Sequence, residues 1–305
     1  MKKHAFLILA HKSPSLIRRI MKVLESDNHY FFLHVDKKTP NIEDFKKAVS
    51  DIRNTTVLEK RISVFHAGIS TTEAELALFE AVRKSSIDFD YLHLISGQDY
   101  PLRSNEQFDE FFEHNTTSYV YIDDKTLRNS MAKNYDRSAN EYHFNHTNKK
   151  YVQIYEKLHL GRLLRLFYRR KTIDGYVGGW QWFSWNKKVF NFIMDYLQSH
   201  PDYLQRFDHT ASPDEHIFVT LINNHLDELD VAPEDPLRYI SWHPHRPIND
   251  SYRPFILEEV DYPFIIDSRA FFCRKIDERL SASLLDKIDA QRGEPYDINK
   301  HTEFV

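Results

Sequence analysis

The chain has almost no cysteine. Cys273 is the only one among 305 residues, so no disulfide can form within the chain, and a reducing compartment is expected. Glycine is nearly as sparse, with seven residues. Neither GxGxxG nor GxxxxGK[ST] occurs, which excludes the two common glycine-rich phosphate loops. Long hydrophobic runs are also missing. The apolar stretch Ala5–Ala10 is cut off by His11 and Lys12, too early for a signal-peptide core or a membrane span. There is no basic excess either: 41 Lys and Arg face 45 Asp and Glu, for a formal net charge of −4. That balance argues against a general nucleic-acid binder. No internal repeat or low-complexity linker divides the sequence. Length alone allows one domain or two, and a single domain over 1–305 is expected.

What is present is apolar and aromatic. Hydrophobic residues make up 41% of the chain and aromatics 14%, with 22 Phe and 17 Tyr. Most of these rings belong in a large core. The surplus suits sugar binding, because a flat ring can cover the C–H face of a pyranose while its polar tip hydrogen-bonds.

The N-terminal third alternates between strand and helix patterns. AFLILA at 5–10 is a continuous apolar run, as in a strand buried on both faces. Ser13-Pro14 offers an N-cap and a proline at the first helical position. Leu16, Ile17, Ile20, Met21 and Leu24 follow at helical spacing. Tyr30–Val35 predicts a second strand, 41–50 a short helix and 55–65 one or two short strands. Ser70-Thr71-Thr72-Glu73 reads as a capping box that opens a helix carrying Leu76, Leu78, Phe79 and Val82. Tyr91, Leu92, Leu94 and Ile95 form a further strand, which breaks into Ser96-Gly97-Gln98-Asp99. The alternation predicts an α/β fold with a mainly parallel sheet flanked by helices. Ligands of such sheets bind outside the carboxyl ends of the strands. The loops there contain Ala10, His11, Asp36, His66, Ser96 and Asp99, and they should converge on one rim. That rim suits a nucleotide or a sugar nucleotide, with the phosphates held by something other than a glycine-rich loop.

Residues 123–175 are polar and show no clear strand; loops and helices around an acceptor pocket are expected. Tyr151–Arg170 reads as one helix. It places Leu158, Leu163, Leu164, Leu166 and Phe167 beside Arg162, Arg165, Arg169 and Arg170. Such a helix packs on its own domain or lies on a membrane surface. GGWQWFSW at 178–185 reads as a strand, with Trp180 and Trp182 on one face and Phe183 and Trp185 on the other. One face lines a sugar pocket, or both pack into core. Residues 187–198 form a helix, and Ser212-Pro213-Asp214-Glu215 opens the next.

Asp214-Glu215 has two readings. In one, Ser212 caps the helix and Glu215 completes a capping box. In the other, Glu215 is a general base, which needs its pKa lifted from about 4.3 towards roughly 6–7 by burial. A helix N-terminus pushes the opposite way. For a metal, Asp88-Phe89-Asp90 has the Asp-x-Asp form but precedes its strand, at the wrong rim. His243-Pro244-His245 is a weak ligand signal. Without a metal, a diphosphate leaving group needs fixed cations. The C-terminal candidates are Arg253, Arg269 and the Arg274-Lys275 pair, and ordinary solvated charge explains most of them equally well.

Taken in order, AFLILAHKSPSLIRRIMKVL, FFLHVDKK, YLHLISGQDYPLRS, GGWQWFSW, ASPDEHIFVTLI, RYISWHP and FFCRKID resemble the core-2/I-branching β-1,6-N-acetylglucosaminyltransferase family. This is glycosyltransferase family 14, which includes the peptide O-xylosyltransferases. The resemblance runs from about residue 4 to 280. It implies a GT-A-type fold and an inverting, metal-independent transfer. Carried over by motif, Glu215 in SPDE is the base that deprotonates the acceptor hydroxyl. Lys275 in RKID lies on the donor diphosphate. Arg253 is its best-matching arginine partner, across a one-residue gap, with Arg246 or Arg269 as alternatives. Ala10, His11 and Asp36 match positions around the uridine. Asp99 matches a carboxylate near the donor sugar, with Ser96 beside it, or else it braces the turn. Trp242 falls beside the acceptor, and Trp180 joins it there.

On this reading 1–120 is the nucleotide-binding half, 121–250 carries the acceptor side and the base, and 251–305 binds the diphosphate. Animal members carry a membrane anchor, a stem and several disulfides. Their lack here leads to the expectation of a bacterial, cytoplasmic member, in peripheral contact with the inner face of the membrane. The expected reaction moves GlcNAc from a UDP-sugar to a glycan hydroxyl, on a lipid-carried surface-polysaccharide unit, with no cofactor and no nucleic-acid partner. Xylosyl transfer, or sugar binding without catalysis, are the alternatives.

Overall fold

The computed structural model describes residues 1–123, 142–147, 149–158, 160–168, 173–242 and 254–292. Ten strands run through it: β1 His4–Ala10, β2 His29–Val35, β3 Thr55–Val57, β4 Tyr91–Ser96, β5 Asp99–Pro101, β6 Ser118–Asp123, β7 Gly178–Asn186, β8 Val231–Ala232, β9 Arg238–Ile240 and β10 Phe272–Arg274. Seven form one sheet in the order β3-β2-β1-β4-β7-β6-β8. β3, β2, β1 and β4 are parallel, while β7 runs antiparallel to both β4 and β6. This is the mainly parallel α/β sheet expected from the alternation of patterns.

The apolar runs form strands because both of their faces are covered. Phe6, Ile8 and Ala10 enter one core with Leu16, Ile17, Ile20 and Met21 of the helix Pro14–Leu24. Ala5 and Leu7 enter the other, with Leu78, Phe79 and Val82 of the helix Ser70–Lys84. Phe79 meets Phe183, Trp185, Phe190 and Phe218 there at centroid distances of 5.4–6.1 Å. Full burial of a side chain this size stabilises by about 1.5–3 kcal/mol.

Two features aim the sheet at a ligand. Pairing of β4 with β7 ends at Leu94↔Phe183. The start of β7 therefore runs past the carboxyl end of β4 and adds a wall to the rim. In addition, the turn after β4 leads straight into a second sheet, β5-β10-β9. Asp99 opens β5 opposite Arg274 of β10, so the C-terminal segment returns to the rim. Gly97 gives the turn room beside Ile17, whose Cδ1 would lie 2.6 Å from a Cβ there and would have to shift.

Several local expectations are corrected. Ser70 does not cap its helix: it lies within the first turn, and its hydroxyl accepts the Phe65 N–H at 2.7 Å. Ser13 stands at an N-cap position in a left-handed conformation without a side-chain cap, leaving Pro14 to start the helix. Region 55–65 yields only β3; beyond it Ile62 N–H donates to His34 Nε2 at 2.9 Å, which bends the chain away from the sheet. The single helix expected over 151–170 is two, Lys149–Lys157 and Leu160–Phe167. Gly161 sits by the break, where its carbonyl accepts the Tyr142 N–H at 3.0 Å.

At the opposite end of the sheet, His4 and His29 begin β1 and β2 and meet Asp109 with their ligand-type atoms within 4.8 Å of one another. His29 Nε2 lies 2.9 Å from Asp109 Oδ1, and His29 Nδ1 donates to the Leu24 carbonyl at 2.6 Å. The long sequence separation of these residues gave no motif to read. The cluster is far from the rim because it stands at the amino ends of the strands.

Candidate active site

The rim assembles from three strand ends. The Ala10 carbonyl accepts the Asp36 N–H at 2.8 Å, which ties the ends of β1 and β2 together. The Asp36 carboxylate is buried and accepts the N–H groups of Lys38 and Val64 at 2.9 and 3.3 Å. His11 is exposed. Burial and then Lys12 lower its pKa, Asp36 opposes them, and Lys275 and Lys38 lower it further. His11 is therefore neutral near pH 7, in the company of three lysines. Lys12 Nζ also reaches Asp277 at 3.2 Å and ties the C-terminal segment to this corner. The resemblance groups His11, Asp36 and Lys275 at the donor side; in the structure Asp36 and Lys275 both act on the His11 ring. His66 is exposed on the adjoining loop.

The second group lies one strand further on. Asp99 is 1% exposed. It accepts the Ser96 N–H and stands 3.4 Å from Arg274 Nη1. Ser96 Oγ in turn accepts the Gln98 N–H at 3.1 Å. Asp99 thus braces the turn through Oδ2, while its Oδ1 has no hydrogen-bond partner among the described residues. Arg274 is buried and lies over the Trp182 ring, its Cζ 3.9 Å from the centroid. Behind it Arg238 is buried between Ser184 and the carbonyls of Leu94, Phe183 and Pro236. Burial and then Arg274 act against the charge on Arg238, while Asp99 supports it. A carboxylate between two buried guanidiniums makes this corner rigid.

The third group carries Glu215. Pro213–Glu215 is a separate 3-10 turn, and the helix Ile217–Asn223 begins only after His216. Ser212 adopts a left-handed conformation (φ 48), makes no side-chain cap and donates its N–H to the Ala67 carbonyl at 2.9 Å. The capping-box reading of Ser212 and Glu215 is therefore wrong, and Glu215 lies just before the helix rather than in its first turn. Glu215 is exposed to solvent, with Asp214, Arg274 and Lys275 close enough to act on its carboxyl. Removal from bulk water pushes its carboxyl up, to about 8, and Asp214 adds to the rise, while Arg274 and Lys275 pull it down. The side chain still reaches water, which moderates the first effect. Asp214 is buried, with Oδ1 unpaired. Glu75 of the helix Ser70–Lys84 is 0% exposed, and burial followed by the Asp214 charge holds it well above the usual carboxylate range. Gln181 Nε2 donates to Glu75 Oε1 at 2.6 Å.

Three acids thus differ in depth, with Glu215 exposed and Asp214 and Glu75 buried. The sequence signalled Glu215 and Asp214 by the SPDE motif, but Glu75 looked like the polar face of an amphipathic helix. Arg238 gave no signal at all. Arg274 appeared among the cationic candidates without a role; it ends β10 just before Lys275 and acts with it on the Glu215 carboxyl. Arg269 pairs with Asp235 at 3.7 Å. Arg253, Arg246, His243 and His245 lie outside the described residues. Trp180 packs on Tyr121 at 4.7 Å, at the start of β7. Trp242 is half-buried two residues beyond β9. Asp90 is held at the amino end of β4 by the Lys3 N–H at 2.8 Å, away from the rim as expected.

A family model described as Core-2/I-Branching enzyme matches residues 4–265. The chain belongs to this family. The match covers every strand that builds the rim except β10, so Lys275 lies beyond its end. Among curated relatives, this core-2/I-branching chain is 24% identical over 222 residues to a beta-1,3-galactosyl-O-glycosyl-glycoprotein beta-1,6-N-acetylglucosaminyltransferase 4 of Danio rerio, covering 71% of the chain and 49% of the relative. It is 21% identical over 299 residues to a xylosyltransferase of Ciona intestinalis, covering 93% of the chain and 33% of the relative. The chain thus spans half or less of the length of these relatives. Both are animal proteins and lend no support to a bacterial origin. Among solved structures, the galactosyltransferase LgtC in complex with donor and acceptor sugar analogs aligns over 95% of both chains, at 10% identity and a TM-score of 0.44.

Proposed function

We propose that this chain transfers a sugar, GlcNAc in the first instance, from a UDP-linked donor to a hydroxyl of a glycan, with inversion at the anomeric carbon. Glu215 takes the proton of the acceptor hydroxyl as its oxygen bonds to C1. The bond from C1 to the diphosphate oxygen breaks on the opposite side, and the electron pair leaves with UDP. Lys275 meets the growing charge on the diphosphate, with Arg274 stiffening the wall behind it. On this reading side-chain cations do the work of a divalent ion at the leaving group.

One observation carries the reading. Lys275 acts electrostatically both on His11, at the ends of β1 and β2, and on Glu215, on the cleft wall. A nucleotide on the first and an acceptor hydroxyl at the second would meet across Lys275, where the diphosphate must sit. The raised Glu215 supports the role of base, since a base works best with a pKa near the operating pH. Xylosyl transfer is the second reading, favoured by the Ciona relative that matches 93% of the chain. A buried, single cysteine suits a cytoplasmic setting, and a lipid-carried polysaccharide unit is the acceptor we favour.

The test is UDP release from UDP-GlcNAc, UDP-xylose, UDP-galactose and UDP-glucose, with and without EDTA, together with the shift in melting temperature each donor gives. One donor that stabilises the protein and turns over equally in EDTA is the expected result. Donor binding that vanishes with EDTA would refute the cationic clamp.

A further inference from the structure

The described residues expose twelve large hydrophobic side chains, and eight of them lie between 151 and 168. Tyr151 (69%), Ile154 (57%), Leu158 (61%), Leu163 (53%), Leu166 (64%) and Phe167 (76%) carry most of that surface. All but Leu158, which follows the first helix, stand on the helices Lys149–Lys157 and Leu160–Phe167. The same stretch concentrates charge of one sign. Residues 149–171 contain eight Lys and Arg and one acid, Glu156, in a chain whose formal net charge is −4. Lys150, Lys157 and Arg162 are exposed among the apolar residues.

The pair of helices is anchored, so its outer face is held in place. Val152 and Tyr155 are buried, the Tyr155 hydroxyl donates to the Tyr142 carbonyl, and Tyr155 packs on Phe144 at 5.0 Å. Arg165 Nη2 donates to the His209 carbonyl at 3.1 Å, and Tyr142 stacks on His209 at 4.3 Å. His209 lies a few residues before the turn that carries Glu215, on the same stretch of chain.

We infer that this face docks on an anionic lipid bilayer. Apolar side chains interleaved with long basic ones match the boundary between acyl chains and anionic headgroups, where Lys and Arg stems lie along the apolar layer and their charges reach the phosphates. A second copy of this chain fits poorly, because a two-fold contact through this patch would oppose two clusters of the same positive sign. The docking itself does not depend on the transferase reading. Its consequence does: the membrane would be presented beside the turn of Glu215, where a lipid-carried acceptor could enter the cleft.

Co-sedimentation with vesicles of phosphatidylcholine, with and without a third of phosphatidylglycerol, tests this directly. We expect binding to the anionic vesicles, weakening with salt, and roughly tenfold or greater loss of it in Leu163→Glu/Phe167→Glu. A Phe167→Trp reporter should shift its emission to the blue on the same vesicles and be quenched by brominated lipid. Lack of binding at low salt, binding unchanged by the double substitution, or a dimer in light scattering that the substitution dissolves would each overturn the inference. UDP affinity should be unchanged in the variants; if UDP never binds the native chain while the vesicles do, the transferase reading fails and the docking stands.

Discussion

Glu215 is followed by a chain of acidic influence: Asp214 acts on it, and Asp214 also acts on the buried Glu75. Asp214 raises the Glu215 pKa by like-charge repulsion, after burial. A base is active once deprotonated, so turnover should climb as pH rises through a Glu215 pKa held above the ordinary carboxylate range. Asp214→Asn removes the repulsion and should move that limb to lower pH, on the order of one unit; an unmoved limb in the pH profile of kcat/KM would count against Glu215 as the titrating group. Glu75 tests the same cluster through stability. Its folded pKa is raised above the unfolded value, so the folded chain holds a proton that the unfolded chain gives up as pH rises past about 4.3. Stability is thus lost as pH climbs from there. Glu75→Gln keeps the acceptor for Gln181 and should leave the melting temperature near its native value at pH 4 but raise it at pH 8. Of this cluster, the sequence showed only the Asp214-Glu215 pair. Glu75 was illegible because its burial depends on Gln181 arriving from a strand far along the chain.

At the scale of elements, strands and apolar helix faces were easy to read, and helix starts were not. The runs at β1, β2 and β4 are apolar on both faces, which only a covered sheet accommodates. The starts failed for local reasons. Ser13, Ser70 and Ser212 each precede an apparent helix, yet none caps one by its side chain. Ser104 does form a full capping box with Gln107. A hydroxyl near a helix start can spend itself on another backbone group, as Ser70 does on Phe65. The start of β7 shows how tightly an element can fix the site. A Cβ on Gly179 would lie 2.2 Å from the Tyr121 carbonyl oxygen and 2.9 Å from Val219 Cγ1. Neither the backbone nor the buried Val219 can give way freely. Gly179→Ala should therefore cost about 1–3 kcal/mol, seen as a lower melting temperature, and should reduce turnover by displacing Trp180.

For the molecule as a whole, the main consequence of the fold is that distant segments meet at one rim. β1 and β2 supply one corner, the turn after β4 leads into a small second sheet, and β10 brings Arg274 and Lys275 back from the C-terminal region. The parallel sheet and its rim were legible because each strand carries its own apolar signal. The second sheet was not, since its strands are three residues each and pair across long separations. That return is also why a lone Asp99 follows β4. It faces Arg274 across the second sheet, 3.4 Å from its Nη1.

The account rests on Glu215 as the base, and one paired measurement on Glu215→Gln tests it most directly: UDP affinity by calorimetry alongside turnover with donor and acceptor. Loss of a general base should lower kcat by about 10²–10⁴-fold while UDP binds as it does to the native chain. Turnover that survives the substitution would contradict the account, and would leave a cleft that binds its sugar nucleotide without Glu215 taking part in the chemistry.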